Sequence, residues 1–256
     1  MSVDNNQTSK AFPYSSFIPF YFNGLGLSNN STTPNTQLNV AAGSCLDSTG
    51  TFQMTLGSGI IINAANNGLN GLDTGSLAAS TVYRVFLVSD PVTQQATGAM
   101  ISAASVPLLP FSYSAYALIG YVTTDSSSHF LLGYWSDNDS ARRQFTYDAP
   151  IIALSAGTAT SYTGVALTTF VPPVNNLSVS MYMLFAANAA GNAANLQGYN
   201  STGDAVTLIA PVATGVANTT EIVNVLAQSN SGAPSIKYKV AAGALSLYVC
   251  GYTFDL

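Results

Sequence analysis

Residues 179 to 191 read VSMYMLFAANAAG, the most apolar run in a chain of 256 residues. The run is about a dozen residues long and is interrupted by Asn188, whereas a helix that spans a bilayer takes roughly 20 apolar residues. It carries no helical periodicity, so it reads as a strand within LSVSMYMLFAAN and not as a membrane helix.

Working outward, PIIALSAG and SYTGVALTTFV precede this run, and AVTLIAPVA, EIVNVLAQS, SIKYKVAAG and ALSLYVCGYTFDL follow it. All are of strand length, with Asn, Gly and Pro turns between them, and such a series predicts a β-sandwich or jelly-roll-like domain. The intervening AANAAGNAANLQG (186–198) reads as a long loop, with a short helix as the alternative, because its asparagines and glycines weaken any helix.

The first half repeats the pattern. Strands are expected near TFQMTL (51–56), GIIINA (59–64), TVYRVFLVS (81–89), GAMISAAS (98–105), YALIGYVTT (116–124) and HFLLGYWS (129–136). The last two are expected to form a hairpin around Asp125-Ser126-Ser127-Ser128. The fold class is therefore all-β, with two antiparallel β domains at 23–140 and 141–256. Their boundary lies in DNDSARRQFTYDAP (137–150), where aspartates and both adjacent arginines concentrate.

Residues 1–22 read as an extended N-terminal arm, because Pro13 and Pro19 rule out a regular helix. Its aromatics, Phe12, Tyr14, Phe17, Phe20, Tyr21 and Phe22, can each bury about 150 Å² or more, so the arm is expected to lie on a core or on a neighbouring subunit. No segment repeats at a solenoid or heptad period, which excludes a fibrous shaft.

Charged residues make up 7% of the chain and the net charge is only -5, so hydroxyls and amides must carry solubility. A mean hydropathy of +0.29 points to apolar area reserved for other subunits, and a homo-oligomer is expected. The six basic residues are scattered; only Arg142 and Arg143 adjoin, with Lys237 and Lys239 two apart, and no nucleic-acid partner is expected. The N-terminal MSVDNNQTSKAF lacks the basic start and apolar core of a signal peptide, which predicts synthesis in a cytoplasm. Cys45 and Cys250 lie far apart in sequence and read as buried free thiols.

Several strings invite a chemical reading. Asp73-Thr74-Gly75-Ser76 spells the catalytic motif of aspartic proteases, but that chemistry needs two carboxylates sharing a proton on loops that leave apolar strands. The residues before Asp73 are NNGLNGL, and the other candidates, Asp47-Ser48-Thr49-Gly50 and Ser201-Thr202-Gly203-Asp204, have the wrong order. Asp73 and Thr74 are thus expected to make an Asx or ST turn, with Gly75 at positive φ.

His129, the only histidine, has no G-x-S-x-G serine to serve; Ser58 in LGSGI lacks the glycine spacing, and a capping or solvent-facing role is expected. Asp137, Asp139 and Asp148 lack the glycine and terminal Glu of a calcium loop, and Glu221, the only Glu, has no evident carboxylate partner for glycoside hydrolysis. The expectation is a non-enzyme with no catalytic, cofactor-binding or metal residues, and no cofactor.

Two segments carry a longer pattern: Gly71, Leu72, Asp73, Gly75, Leu77, Thr81 and Tyr83, then Pro107, Leu109, Pro110, Tyr113, Tyr116, Ile119, Gly120, Val122, Thr124 and Asp125. In this order they resemble a domain recurrent in tail-fibre and other virion structural proteins of tailed bacteriophages. The resemblance covers about a quarter of the chain and departs from the family at Val82 and Phe111, where Trp and Gly are frequent. It implies a virion protein of the tail apparatus, assembled in the bacterial host cytoplasm and serving assembly or host attachment. The alternative is a capsid decoration (cement) or head-fibre protein. The expected partners are other virion proteins met through the arm, further copies in a homotrimer or higher homo-oligomer, and host surface glycans, without membrane insertion.

Overall fold

A computed structural model of the protein describes residues 22–90, 92, 95–137, 142–174, 177–198, 200–210, 217–227 and 233–256. The arm thus lies outside the described residues except for Phe22. Among them every regular element is a strand. In the first half these are β1 (Phe22–Gly24), β2 (Leu27–Asn29), β3 (Gln37–Val40), β4 (Gly43–Leu46), β5 (Gln53–Leu56), β6 (Ile60–Asn63), β7 (Val82–Asp90), β8 (Gln95–Ser102), β9 (Ala115–Thr123) and β10 (Gly133–Asp137). The second half holds β11 (Arg142–Gly157), β12 (Thr163–Ala166), β13 (Ser178–Ala187), β14 (Ala193–Gly198), β15 (Val206–Ile209), β16 (Ala217–Leu226), β17 (Ser235–Val240) and β18 (Gly243–Asp255).

The second half pairs in a nested order: β14 with β15, β13 with β16, β12 with β17 and β11 with β18, all antiparallel. These are the pairings of one long ribbon doubled back at the β14–β15 turn. Wrapping that ribbon brings β13 beside β18 and β14 beside β17. Two layers result, β16-β13-β18-β11 and β12-β17-β14-β15, which is jelly-roll topology.

The VSMYMLFAA run is the centre of this unit. In β13 burial alternates strictly, so Val179, Met181, Met183 and Phe185 point inward and are 0% exposed, while Ser180, Tyr182 and Leu184 point out. The opposite layer meets them with Leu196, Ile236 and Val240. Each such side chain contributes about 1.5–3 kcal/mol by leaving water, which makes this strand the centre of the core.

Residues 193–198 were expected in a loop, and here the structure corrects the sequence reading. Ala194 and Leu196 face the core, β15 and β17 supply ladders on both sides, and the Asn195 amide donates to Asp204 Oδ2 (2.7 Å) and Thr207 Oγ1 (2.9 Å). Neighbouring strands outweigh weak local propensity.

In the first half β8-β7-β9 and β1-β4-β5 form small sheets around a second core of Leu25, Leu38, Met54, Ile62, Val85, Leu87, Ile119 and others. β10, β2, β3 and β6 continue the outer jelly-roll layer, giving one eight-stranded sheet in the order β16-β13-β18-β11-β10-β2-β3-β6. The charged stretch 137–150 is therefore mostly strand: β11 begins at Arg142, and the sheet runs across it from one core to the other. Trp135 packs against both cores.

The hairpin expected around Asp125–Ser128 does not form. β9 pairs with β7, and β10 pairs with β11 and β2, leaving a single Thr124–Phe130 bridge across the turn. The turn residues do reverse the chain, but Phe130 is buried in the core of the first half and Leu131 and Trp135 pack against the jelly-roll core, so the chain crosses from one sheet to another.

Candidate functional site

The segments 71–83 and 107–125, which carry the family resemblance, run from loops into β7 and β9 and are tied to each other and to β8 by hydrogen bonds. Leu72 is 1% exposed and bridges Ile101 of β8 in parallel, with Ile101 N donating to Gly71 O and Asp73 N to Ile101 O, both at 2.9 Å. A Cβ on Gly71 would stand 2.3 Å from Asn66 O, which is why the backbone needs glycine there.

Asp73 then uses both carboxylate oxygens. Oδ1 accepts from Thr74 N (2.8 Å), and Oδ2 accepts from Leu108 N (3.1 Å), tying the first segment to the second. Gly75 follows at φ +77°. Further on, the Tyr83 hydroxyl accepts from Ala78 N (2.7 Å), and Thr124 Oγ1 donates to Ala78 O (2.6 Å) while accepting from Thr81 N (2.9 Å). Ser80 N donates to Asp125 O (2.8 Å).

The second segment also covers the back of the small sheet. Leu109, Tyr113 and Tyr116 pack over Phe86, Val88 and Met100, with Tyr116 edge-on to Phe86 at 5.7 Å. Gly120 leaves room for Leu27, whose Cδ1 would sit 2.6 Å from a Cβ at that position. The residues of the pattern thus form a clasp that fixes β7, β8 and β9. Asp73 belongs to that clasp: its Oδ1 accepts from the adjacent Thr74 N and not, as in the Asx turn expected of it, from the residue two places on, while its Oδ2 makes a long-range tie that the local string could not show.

Replacing Asp73 with Ala is expected to cost about 1–2 kcal/mol, through loss of a charged acceptor from two backbone N–H groups. For a chain of this size that is a fall in Tm of about 2–8 °C in a melting scan. Asp73→Asn should leave any peptidase activity of a purified preparation where it was; its abolition would restore the catalytic reading.

The other sequence candidates are separate from one another. Asp125 Oδ1 accepts from Ser127 N (2.8 Å) and His129 N (2.9 Å), so the carboxylate shapes the turn, with His129 Nδ1 3.8 Å from Oδ2 at the surface. Asp47 holds its own loop by accepting from Thr49 Oγ1 (2.7 Å), Thr51 N (3.0 Å) and Phe52 N (2.9 Å). Although its slight burial opposes ionisation, these bonds leave its pKa lowered. Asp204 binds Asn195. Asp148 N donates to Leu132 O in a stretch of β11 that bulges out of register, while Asp139 lies outside the described residues. Glu221 sits in β16 opposite Met183. Among the described residues no three His, Cys, Asp or Glu side chains are grouped to hold a metal ion.

Three expectations need correction. Arg143, read from sequence as part of the charged boundary stretch, is buried: it is 2% exposed, its Nη2 donates to Gly24 O (2.9 Å), and its guanidinium lies 4.4 Å over the Phe22 ring. Phe22, placed in the arm by sequence, belongs to β1 opposite Cys45. Both cysteines are free, but only Cys45 is buried; Cys250 is partly exposed on the outside of β18.

A shallow groove of about 330 Å³ lies on the outer sheet between Gly26, Ser28, Asn39, Gly59 and Ile61. It holds no ionisable side chain.

No protein-family model matches the chain, and no curated protein matches it. Among solved structures it is similar to a carbohydrate-binding module from a Cellvibrio mixtus lichenase in complex with cellotriose, at 14% identity and TM-score 0.24 over 49% of this chain and 88% of that one. It is also similar to the VP2 subviral particle of infectious bursal disease virus (12%, TM-score 0.22, 91% of this chain and 69% of that one). A third is a Bacillus thuringiensis Cry1Da tryptic core variant (11%, TM-score 0.21, 92% and 51%). At these TM-scores the likenesses carry no argument.

Proposed function

We propose that this chain is a structural component of a tailed-bacteriophage virion, of tail-fibre or tail-apparatus type, acting in assembly or host attachment as a homo-oligomer and not as an enzyme. The observation that carries the reading is the clasp. Residues that resemble the phage domain at the level of letters, Gly71, Asp73, Tyr83, Leu109, Tyr113, Tyr116, Gly120 and Thr124, each have a structural task in one small β unit. Residues with such tasks serve shape and not chemistry, which suits a particle protein. The near absence of charge on a chain rich in Tyr, Asn and Ser suits a surface that meets other protein copies or neutral glycans.

The arm, with Phe22 held beside Arg143 at its root, would dock on a neighbouring virion protein. Antibody labelling of purified particles, read by electron microscopy, is expected to mark the tail. Label spread over the head would make it a capsid decoration or head-fibre protein instead, and particles without the protein would sink both.

A further inference from the structure

The eight-stranded sheet turns one face to the two cores and leaves the other without a covering layer among the described residues. Of the large hydrophobic side chains that stand exposed, Leu226, Ile152, Tyr134 and Ile61 are on strands of this sheet. Strand alternation puts Ser178, Ser180, Tyr182, Leu184 and Ala186 of β13 and Ala244, Ser246, Tyr248 and Cys250 of β18 on its outer side. Register aligns Ile152, Tyr248 and Tyr182 in one row across three strands.

We propose that the outer face of β16-β13-β18-β11 is a homotypic interface, against which a second copy of this chain packs the same face, sheet on sheet, about a two-fold axis. Three observations select that occupant.

The first is area. Four strands about 4.8 Å apart and up to ten residues long at about 3.3 Å each cover roughly 600 Å², or about 1,250 Å² over two copies, which lies within the range of stable interfaces. The second is charge. The β13 and β18 residues on the face are all uncharged, and the described charges of the sheet's outer side stand at its margins, Asp148 in the β11 bulge and Arg142 opposite Asp255 at one end. Two copies of an acidic chain can therefore approach here without placing like charges in contact, and a patch rich in Tyr and poor in charge has the composition of an interface centre.

The third is shape. Two sheets of identical twist pack face to face at about 30°, and the two-fold operator supplies identical twist without further design. A glycan would need a ring lying flat, whereas Tyr182 and Tyr248 meet edge to face, 5.7 Å apart at 62°.

The inference rests on the oligomer part of the proposed function and on nothing else in it, and it puts a two-fold dimer in place of the homotrimer or higher homo-oligomer expected from sequence. Sedimentation velocity of the purified full-length protein is expected to give twice the 26.5 kDa chain mass. Tyr248→Asp, at the centre of the face, should raise the dissociation constant by about 100-fold or more. Phe111→Asp, on a fully exposed side chain outside the face, should leave the mass unchanged.

Alkylation of the Cys250 thiol gives a readout that survives misfolding of the variant. In the wild-type protein it should be slow at high concentration and fast on dilution. A wild-type monomer at all concentrations, Cys250 reactivity independent of concentration, or an oligomer indifferent to Tyr248→Asp overturns the proposal. A monomer would leave the particle labelling unaffected, and unlabelled particles would leave the dimer standing.

Discussion

Truncating Tyr252 to alanine is expected to lower the unfolding free energy by about 3–5 kcal/mol, the largest effect of any single substitution considered for this chain. Tyr252 is 2% exposed and stands among rings from both halves: Phe145 at 5.5 Å, Phe254 at 6.0 Å, Tyr147 at 6.2 Å and Trp135 at 6.4 Å between centroids. Trp135 in turn lies 4.6 Å from Phe145 and touches both cores. Removing the ring forfeits the burial of a large side chain, leaves a cavity, and loses ring contacts worth about 0.5–1.5 kcal/mol per pair beyond area.

Melting followed by fluorescence of Trp135, the one tryptophan, should show Tm lowered by roughly 6–20 °C. Thr253→Ala, one residue along on the outer side of β18, should change stability by about 0.5 kcal/mol at most. Equal shifts for the two variants would mean that the aromatic cluster does not join the halves.

That cluster shows where sequence reading stops. Strand existence was legible from segment length and turn punctuation, and β5, β6, β7, β8, β9, β13, β17 and β18 fall where the segments suggested. The jelly-roll pairing was not legible, because nested partners such as β11 and β18 are about 100 residues apart and nothing local records their register. The short strands β1 to β4 escaped because they lie among the Asn, Gly, Ser and Thr of 22–50, which read as turns, whereas β5 and β6, no longer, stand in more apolar runs.

Partner choice was hidden for the same reason. The turn at Asp125–Ser128 is legible as a turn, but only the burial of Phe130 and Trp135 decides that β9 and β10 go to different sheets. At the clasp, the positive φ of Gly75 was legible, and the bond of Asp73 to Leu108 N, 35 residues away, was not. Arg143 was legible only as part of a charged boundary stretch, because its partners, Gly24 O and Phe22, come from more than 100 residues earlier.

Buried groups that keep their protons give the second large effect, a loss of stability in alkali. Burial pushes the Cys45 thiol from its ordinary 9.0 up to about 12, with the Asp47 charge adding to the rise and Arg143 opposing it. Burial likewise raises the hydroxyls of Tyr147, which donates to Phe170 O, and of Tyr252 above their ordinary 10.0.

Once the pH passes those ordinary values, the unfolded chain releases protons that the folded chain still holds. Unfolding is then favoured by about 1.4 kcal/mol per pH unit for each group. The stability these groups allow is complete below pH 9 and declines as the pH rises toward their folded values. By pH 11 the thiol alone removes about 3 kcal/mol and the two hydroxyls add to that loss, a large share of the usual 5–15 kcal/mol stability of a domain.

Urea midpoints should accordingly stay level from pH 6 to 8.5 and fall steeply from pH 9 to 11. Cys45→Ala should flatten the part between pH 9 and 10, where the thiol titrates in the unfolded chain before the tyrosines do. A level midpoint through pH 11 would mean that thiol and hydroxyls ionise freely in the folded protein, and so that neither core excludes water around them.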